Sequence, residues 1–190
     1  MNILKKEFKT NDSASFRYHK DAENLWQVIY QILGAYFEDD CADELTNDPI
    51  LTAVLSKKTL ALQSTLSRFF NQMDESTLQQ FYDLLRHFRK VVYSVRKPEM
   101  LPLDLDSTLL LIGKEFNFHY QEHGYHPLVC YDGVIGDLLK IQLRNGTYYS
   151  PTGTMEFLQP LLDEFGADYP YIPLLLKGDS GFTKPELYHQ

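Results

Sequence analysis

The sequence predicts an α+β chain, an all-helical half followed by an α/β half, and three observations carry that division. Apolar residues recur at helical steps up to about residue 97, the period becomes extended after Pro98, and two late apolar stretches carry aspartates. The boundary is therefore expected at Lys97-Pro98, with a helical domain over 1–98 and a second domain over 99–190. With 44% hydrophobic and 23% charged residues in 190, the chain is globular rather than disordered. No apolar run approaches the roughly 18 residues a membrane helix needs, and MNILKKEFKTNDSASF lacks the apolar core of a secretory signal. A cytoplasmic protein with no membrane partner is expected. Cys41 and Cys130 lack metal-ligand spacing and are expected as reduced packing residues.

The net charge of −8 is unevenly spread. Residues 51–100 hold eight Lys or Arg against four Asp or Glu, whereas residues 101–190 hold five against twelve. The first twenty residues are polar and mixed and are expected to be loosely ordered. Asp21 or Asn24 then caps a helix whose inward stripe is Leu25, Ile29, Ile32, Leu33 and Tyr36. The acids of EDDCADELTNDP lack the glycine and oxygen spacing of a calcium loop and read as a solvated stretch. ILTAVLSKKTLALQSTLSRFFNQM reads as two helices broken at Lys57–Thr59, a possible helix-turn-helix over about 51–73. Its second helix buries Leu62, Leu66, Phe69, Phe70 and Met73, while Ser64, Ser67, Arg68 and Asn71 share another side. Ser64, Ser67 and Arg68 are the candidate DNA-binding residues, although a surface helix of an ordinary bundle has the same pattern. A longer helix follows, with Leu78, Phe81, Leu85, Phe88 and Val92 inward and Arg86, Arg89 and Lys90 outward.

In the second half, LPLDLDSTLLL sets Asp104 and Asp106 in a run otherwise fit for a buried strand over Leu103–Leu111. Alternation puts Asp104, Asp106 and Thr108 on one face. A later apolar run, Ile172 to Leu176, leads to Asp179, so each strand delivers a carboxylate near its end. Paired strand-borne acids suit magnesium or manganese, hard cations that prefer oxygen ligands; the plainer reading makes them a strand start and a helix cap. Further strands are expected around Leu128 and Ile141, with turns at Asp132-Gly133 and Asn145-Gly146. Ser150 and Pro151 start a helix through Met155, Leu158, Leu161, Leu162 and Phe165, and another helix is expected from Thr183. Three neighbouring strands, a helix and a further strand are the order of a ribonuclease-H-like fold.

From about Leu25 onward the chain resembles the bacterial insertion-sequence transposases of the DDE type, transposase DDE domain group 1. The matching pieces are YFEDDCADELTNDPIL, LALQSTLSRFFN, LDLDST, GYHPLVCYDG with its following Gly-Asp-Leu-Leu, LRNGT and LLLKGDSGF. The resemblance implies that Asp106 and Asp179 are catalytic carboxylates and metal ligands, with Asp104 a nearby acid of open role. It further implies two Mg²⁺ or Mn²⁺ ions that activate water and then a 3′-hydroxyl for attack on DNA phosphates. Its partners are terminal inverted repeats and target DNA, with a possible homodimer and a nucleoid location. Asn145, Thr147 and Lys177 depart from the residues usual in such relatives. Relatives continue to a catalytic Glu on a later helix, for which Glu186 is a poor substitute, so the expectation is a truncated domain without a complete active site.

Two alternatives stay open at this stage. Asp104-Leu105-Asp106-Ser107-Thr108 fits the nucleophile motif of haloacid-dehalogenase-like phosphatases, with Asp104 attacking phosphate and Asp106 as acid-base. Against that reading, Thr183 stands where a further acid is needed. The other alternative is a non-enzymatic module that binds DNA or another transposase copy through its helical half.

Overall fold

The computed structural model describes residues 8–38, 40–111, 115–117, 121–149 and 151–182. The chain divides into two compact units, Met1–Asp83 and Leu84–Gln190. The division falls inside a helix rather than at Pro98.

Unit one holds α1 (Asp21–Leu33), α2 (Cys41–Glu44), α3 (Pro49–Leu55), α4 (Gln63–Asn71) and the start of α5 (Glu75–Val95). Its described N-terminal residues are held in place rather than loose. The Thr10 N–H and hydroxyl both donate to Asp21 Oδ2, the Asn11 N–H donates to the Gln72 carbonyl, and Lys9 exchanges two bonds with the Gln80 amide. Phe8 is buried with Ala22, Leu25 and Phe69, its ring 5.3 Å from that of Phe81.

Several expected stripes are corrected. In α1 only Leu25 of the apolar stripe is fully buried, while Ile32, Leu33 and Tyr36 are exposed. The buried face is rotated toward Gln27 and Gln31 because the Gln27 amide satisfies both groups of the Ala61 backbone, accepting from its N–H and donating to its carbonyl at 2.8 Å each. The N-cap position is Lys20, whose N–H donates to Glu23, because Asp21 is already committed to Thr10 and Asn24 lies a turn inside the helix. In α4, Leu66 and Phe69 are buried, but Leu62 and Phe70 are exposed. Leu62 sits at the N-cap and Phe70 faces off the stripe, so neither meets the core. The connection between α3 and α4 runs over residues 56–62, longer than the three or four residues of a tight helix-turn-helix corner. The EDDCADELTNDP stretch folds as α2 and the cap of α3, where Asp48 accepts from Ile50 and Leu51 N–H.

Unit two is a four-stranded sheet with helices. The strands are β1 (Leu101–Ser107), β4 (Leu128–Asp132), β5 (Leu138–Gln142) and β6 (Leu174–Gly178), in spatial order β5-β4-β1-β6. A separate two-stranded ribbon pairs β2 (Phe116–Asn117) with β3 (Glu122–His123). β4 is antiparallel to β1 and β5, whereas β6 is parallel to β1 after the crossover through α6 (Thr154–Asp168). Alternation along β1 buries Leu101, Leu103 and Leu105 against Leu128, Cys130, Leu139 and the α6 residues Phe157, Leu158, Leu161 and Phe165. Asp104 and Asp106 take the other side, as expected. β1 is shorter than the predicted strand, its apolar tail meeting the sheet again only as a bridge between Leu110 and Tyr125. The expected turn at Asn145-Gly146 is formed, the Tyr148 N–H donating to the Asn145 carbonyl at 3.1 Å, and Asn145 also bridges to Tyr125.

On α5, Leu78 and Phe88 are exposed, and Arg89, expected outward, is only 5% exposed. Its guanidinium is drawn in by the Glu164 carboxylate and lies 5.1 Å above the Phe165 ring. The helix α6 begins at Thr154 rather than at Pro151, after Gly153 adopts a left-handed φ of 74°. The expected Ser150 cap, the helix from Thr183 and Glu186 lie outside the described residues.

Candidate active site

The acids expected to work together are placed by the parallel pairing of β1 and β6. Asp104 pairs with Lys177 and Leu105 with Gly178, so the next residue on each strand is an acid, Asp106 on one and Asp179 on the other. Both are exposed. Asp106 Oδ1 accepts the Ser107 N–H at 2.7 Å, and Asp179 Oδ1 accepts the Gly181 N–H at 2.8 Å. The turn after β6 is a short 3₁₀ segment, Ser180–Phe182, whose Phe182 is buried in the core. A Cβ on Gly178 would stand 3.1 Å from the Phe182 ring, so glycine lets that ring close over the strand end that presents Asp179.

Asp104 has a different setting. It is half-buried, and Lys177 Nζ donates to its Oδ2 at 2.6 Å. Its charge is met by lysine rather than by the other acids. Lys177 is the residue that strand-by-strand reading missed as part of this site, because only the register between two distant strands sets it beside Asp104. Beneath the acids, burial pushes the Cys130 thiol up to about 12, helped by the negative charge of Asp104. It is an inert core residue. Cys41 and Cys130 are both free thiols.

The segments GYHPL and LRNGT brace the site rather than enter it. A Cβ on Gly124 would lie 2.1 Å from the Leu110 carbonyl oxygen, and one on Gly146 would lie 2.1 Å from the Gly124 carbonyl oxygen. Only glycine permits these backbones to approach so closely. The Leu110 and Tyr125 backbones exchange two hydrogen bonds, at 2.9 and 3.0 Å, and buried Arg144 donates to the carbonyls of His126 and Thr152. The chain after β1 is thereby tied to the chain after β5.

The candidate DNA-binding residues lie in unit one. Ser64 and Arg68 are exposed and Ser67 is half-buried on α4. Arg68 lies along its own helix, donating to the Ser64 carbonyl at 3.2 Å and to the Thr65 hydroxyl at 3.3 Å.

Among the described residues, no group of three or more His, Cys, Asp or Glu side chains is placed to hold a metal ion. No described helix is long and apolar enough to cross a membrane.

Helices and a mixed sheet make this an α+β protein, an architecture consistent with a DDE transposase domain. The family model for Transposase DDE domain group 1 matches residues 1–190, and the chain belongs to that family. No curated protein and no solved structure matches it. Membership points to transposase function, with DNA as the partner and divalent metals as the cofactors general to the family, and it gives no support to the phosphatase reading of Asp104.

Proposed function

We propose that the chain mobilises an insertion sequence through a ribonuclease-H-like domain, using Asp106 and Asp179 as the catalytic carboxylates for DNA strand cleavage and strand transfer. The observation that carries this reading is their position, one residue beyond the Leu105–Gly178 pair on adjacent parallel strands. The strand order β5-β4-β1-β6, with three antiparallel neighbours and a parallel fourth strand after a helix, supports the fold assignment.

The two acids fit a hard divalent cation. Each commits Oδ1 to a backbone N–H, while neither Oδ2 has a hydrogen-bond donor among the described residues. Mg²⁺ or Mn²⁺ bound there supplies charge neutralisation at a DNA phosphate. Asp106 and Asp179 hold and orient that charge; Lys177 neutralises Asp104, which limits repulsion on the same face. In unit one, α3 and α4 act as the DNA-binding pair over about 51–73, with Ser64, Ser67 and Arg68 toward the element ends. Assembly of two ends by a homodimer, in the bacterial cytoplasm beside the nucleoid, completes the proposal.

The test couples metal and DNA. Manganese affinity is measured with and without duplex DNA taken from the ends flanking the protein's own gene. Reciprocal tightening is expected in wild type and its loss in Asp106→Asn and Asp179→Asn, because metal and phosphate share one site. Cleavage of that DNA retained by Asp106→Asn, or identical metal binding in all three proteins, would overturn the assignment.

A further inference from the structure

Unit one contains a cavity of about 290 Å³ between the N-terminal segment, α1 and α4. Two features of its lining are unusual. Phe16 is 81% exposed and Tyr18 65% exposed, although the segment bearing them is tied down on both sides by hydrogen bonds. The buried Asn24 also lines the cavity, and its Oδ1 has no hydrogen-bond partner among the described residues. An unpaired buried amide oxygen costs stability, and exposed aromatic faces cost solvation, unless a ligand uses them. Arg68 and Thr65 complete the wall on the α4 side, so the cavity reaches Arg68 of the candidate DNA-binding residues.

From this arrangement we infer that the cavity holds one unpaired nucleotide of a DNA strand. The base stacks on Phe16 or Tyr18, an exocyclic amino group donates to Asn24 Oδ1 where the base carries one, and the phosphate is met by Arg68. Aromatic stacking of this kind accepts any base, which suits a strand end or an extruded nucleotide rather than paired sequence. The cavity's acids face a cation of their own, Arg17, which pairs with Asp12 and lies 4.0 Å from Asp21 Oδ1. Asp12 is bonded to the Arg17 guanidinium and the Ala14 N–H, and Asp21 Oδ2 accepts two bonds from Thr10. Tyr18 is held edge-on by His19, their rings 4.7 Å apart, so its position is set before any ligand arrives.

The inference rests on α4 facing DNA, and the experiment separates the two. Fluorescence anisotropy compares wild type, Arg68→Ala, Asn24→Ala and the double variant Phe16→Ala/Tyr18→Ala on two probes. One is a blunt duplex from the flanking ends, and the other is the same duplex bearing one unpaired 2-aminopurine nucleotide. Wild type should bind the second about tenfold more tightly and quench its fluorescence. The double variant, altered only at exposed side chains, should lose that gain while binding blunt duplex as wild type does. Arg68→Ala should weaken both. Equal wild-type affinity for the two probes overturns the nucleotide site while leaving the DNA-facing helix intact. Equal blunt-duplex binding by wild type and Arg68→Ala overturns the reading beneath it. Deoxyadenosine monophosphate is added as competitor: displacement of the quenched probe at excess supports a nucleotide site. Binding of the free nucleotide with no gain for the unpaired strand assigns the cavity to a free nucleotide and overturns the strand.

Discussion

Two aspartates on neighbouring strands illustrate how differently one side chain is used. Asp132 is buried and saturated, with Oδ1 accepting the N–H groups of Val134 and Ile135 and Oδ2 accepting the Tyr93 hydroxyl at 2.5 Å. Burial and that bond both push the Tyr93 hydroxyl above its ordinary range, so it stays a donor at any working pH. Tyr93→Phe leaves a buried carboxylate oxygen without its donor and should cost about 1–3 kcal/mol in urea unfolding. An unchanged midpoint would mean that the pair contributes nothing. Asp106, by contrast, is exposed and accepts only its neighbour's N–H. Asp106→Asn should therefore leave metal-free melting unchanged or slightly raised, since it removes an exposed carboxylate bonded only to its neighbour's N–H and lowers the negative charge at the strand ends that carry Asp106 and Asp179. Manganese should raise the melting temperature of wild type alone, and a marked loss in the metal-free variant without any manganese response would show Asp106 to be structural.

The α5–α6 contact within unit two is held by charge as well as by apolar packing. Arg86 Nη2 and Lys90 Nζ donate to Asp168 Oδ2 at 2.7 and 3.0 Å, and Arg89 reaches Glu164. Burial alone would raise the Asp168 carboxyl, but the hydrogen bonds and charges of Arg86 and Lys90 together outweigh it and hold the group below its ordinary 3.8. A depressed carboxylate contributes stability that is present above the unfolded value and is lost as pH falls through the folded one. The melting-temperature gap between wild type and Asp168→Asn should thus be small at neutral pH, as partly exposed pairs give, and should close as pH drops below 3.8. A gap that widens in acid would contradict this. The strands of the sheet were legible because alternation along LPLDLDS separates leucines from acids, and α6 was legible from its apolar spacing. Arg89 was not, because a cation on a helix reads as solvated until the partner helix supplies both a carboxylate and a ring. Gln27 was hidden for a similar reason: its partner is the backbone of Ala61, which no side-chain pattern announces. At the candidate site the two acids could be read from their strands, whereas the lysine matched to Asp104 needed the pairing of strands that are distant in sequence.

Charge is unevenly spread along the chain, and its basic stretch crosses from one unit into the other. The basic stretch 51–100 includes α4, and phosphate contacts made there should weaken steeply with salt. Arg68→Ala should lower affinity for the flanking-end duplex and reduce the slope of log affinity against log salt by about one contact. An unchanged slope would remove Arg68 from the interface. The second unit relies on the pairing of β1 with β6 to set Asp106 and Asp179 at neighbouring strand ends. Asp104 and Lys177 are 73 residues apart and sit directly across the β1–β6 boundary, with Lys177 65% exposed. Such a pair contributes little energy. Its value is informational: a one-residue slip of β6 would turn every side chain of that strand to the opposite face, sending Lys177 toward the leucines and carrying Asp179 away from Asp106. The ion pair works as an alignment mark, legible only when the strands are in step.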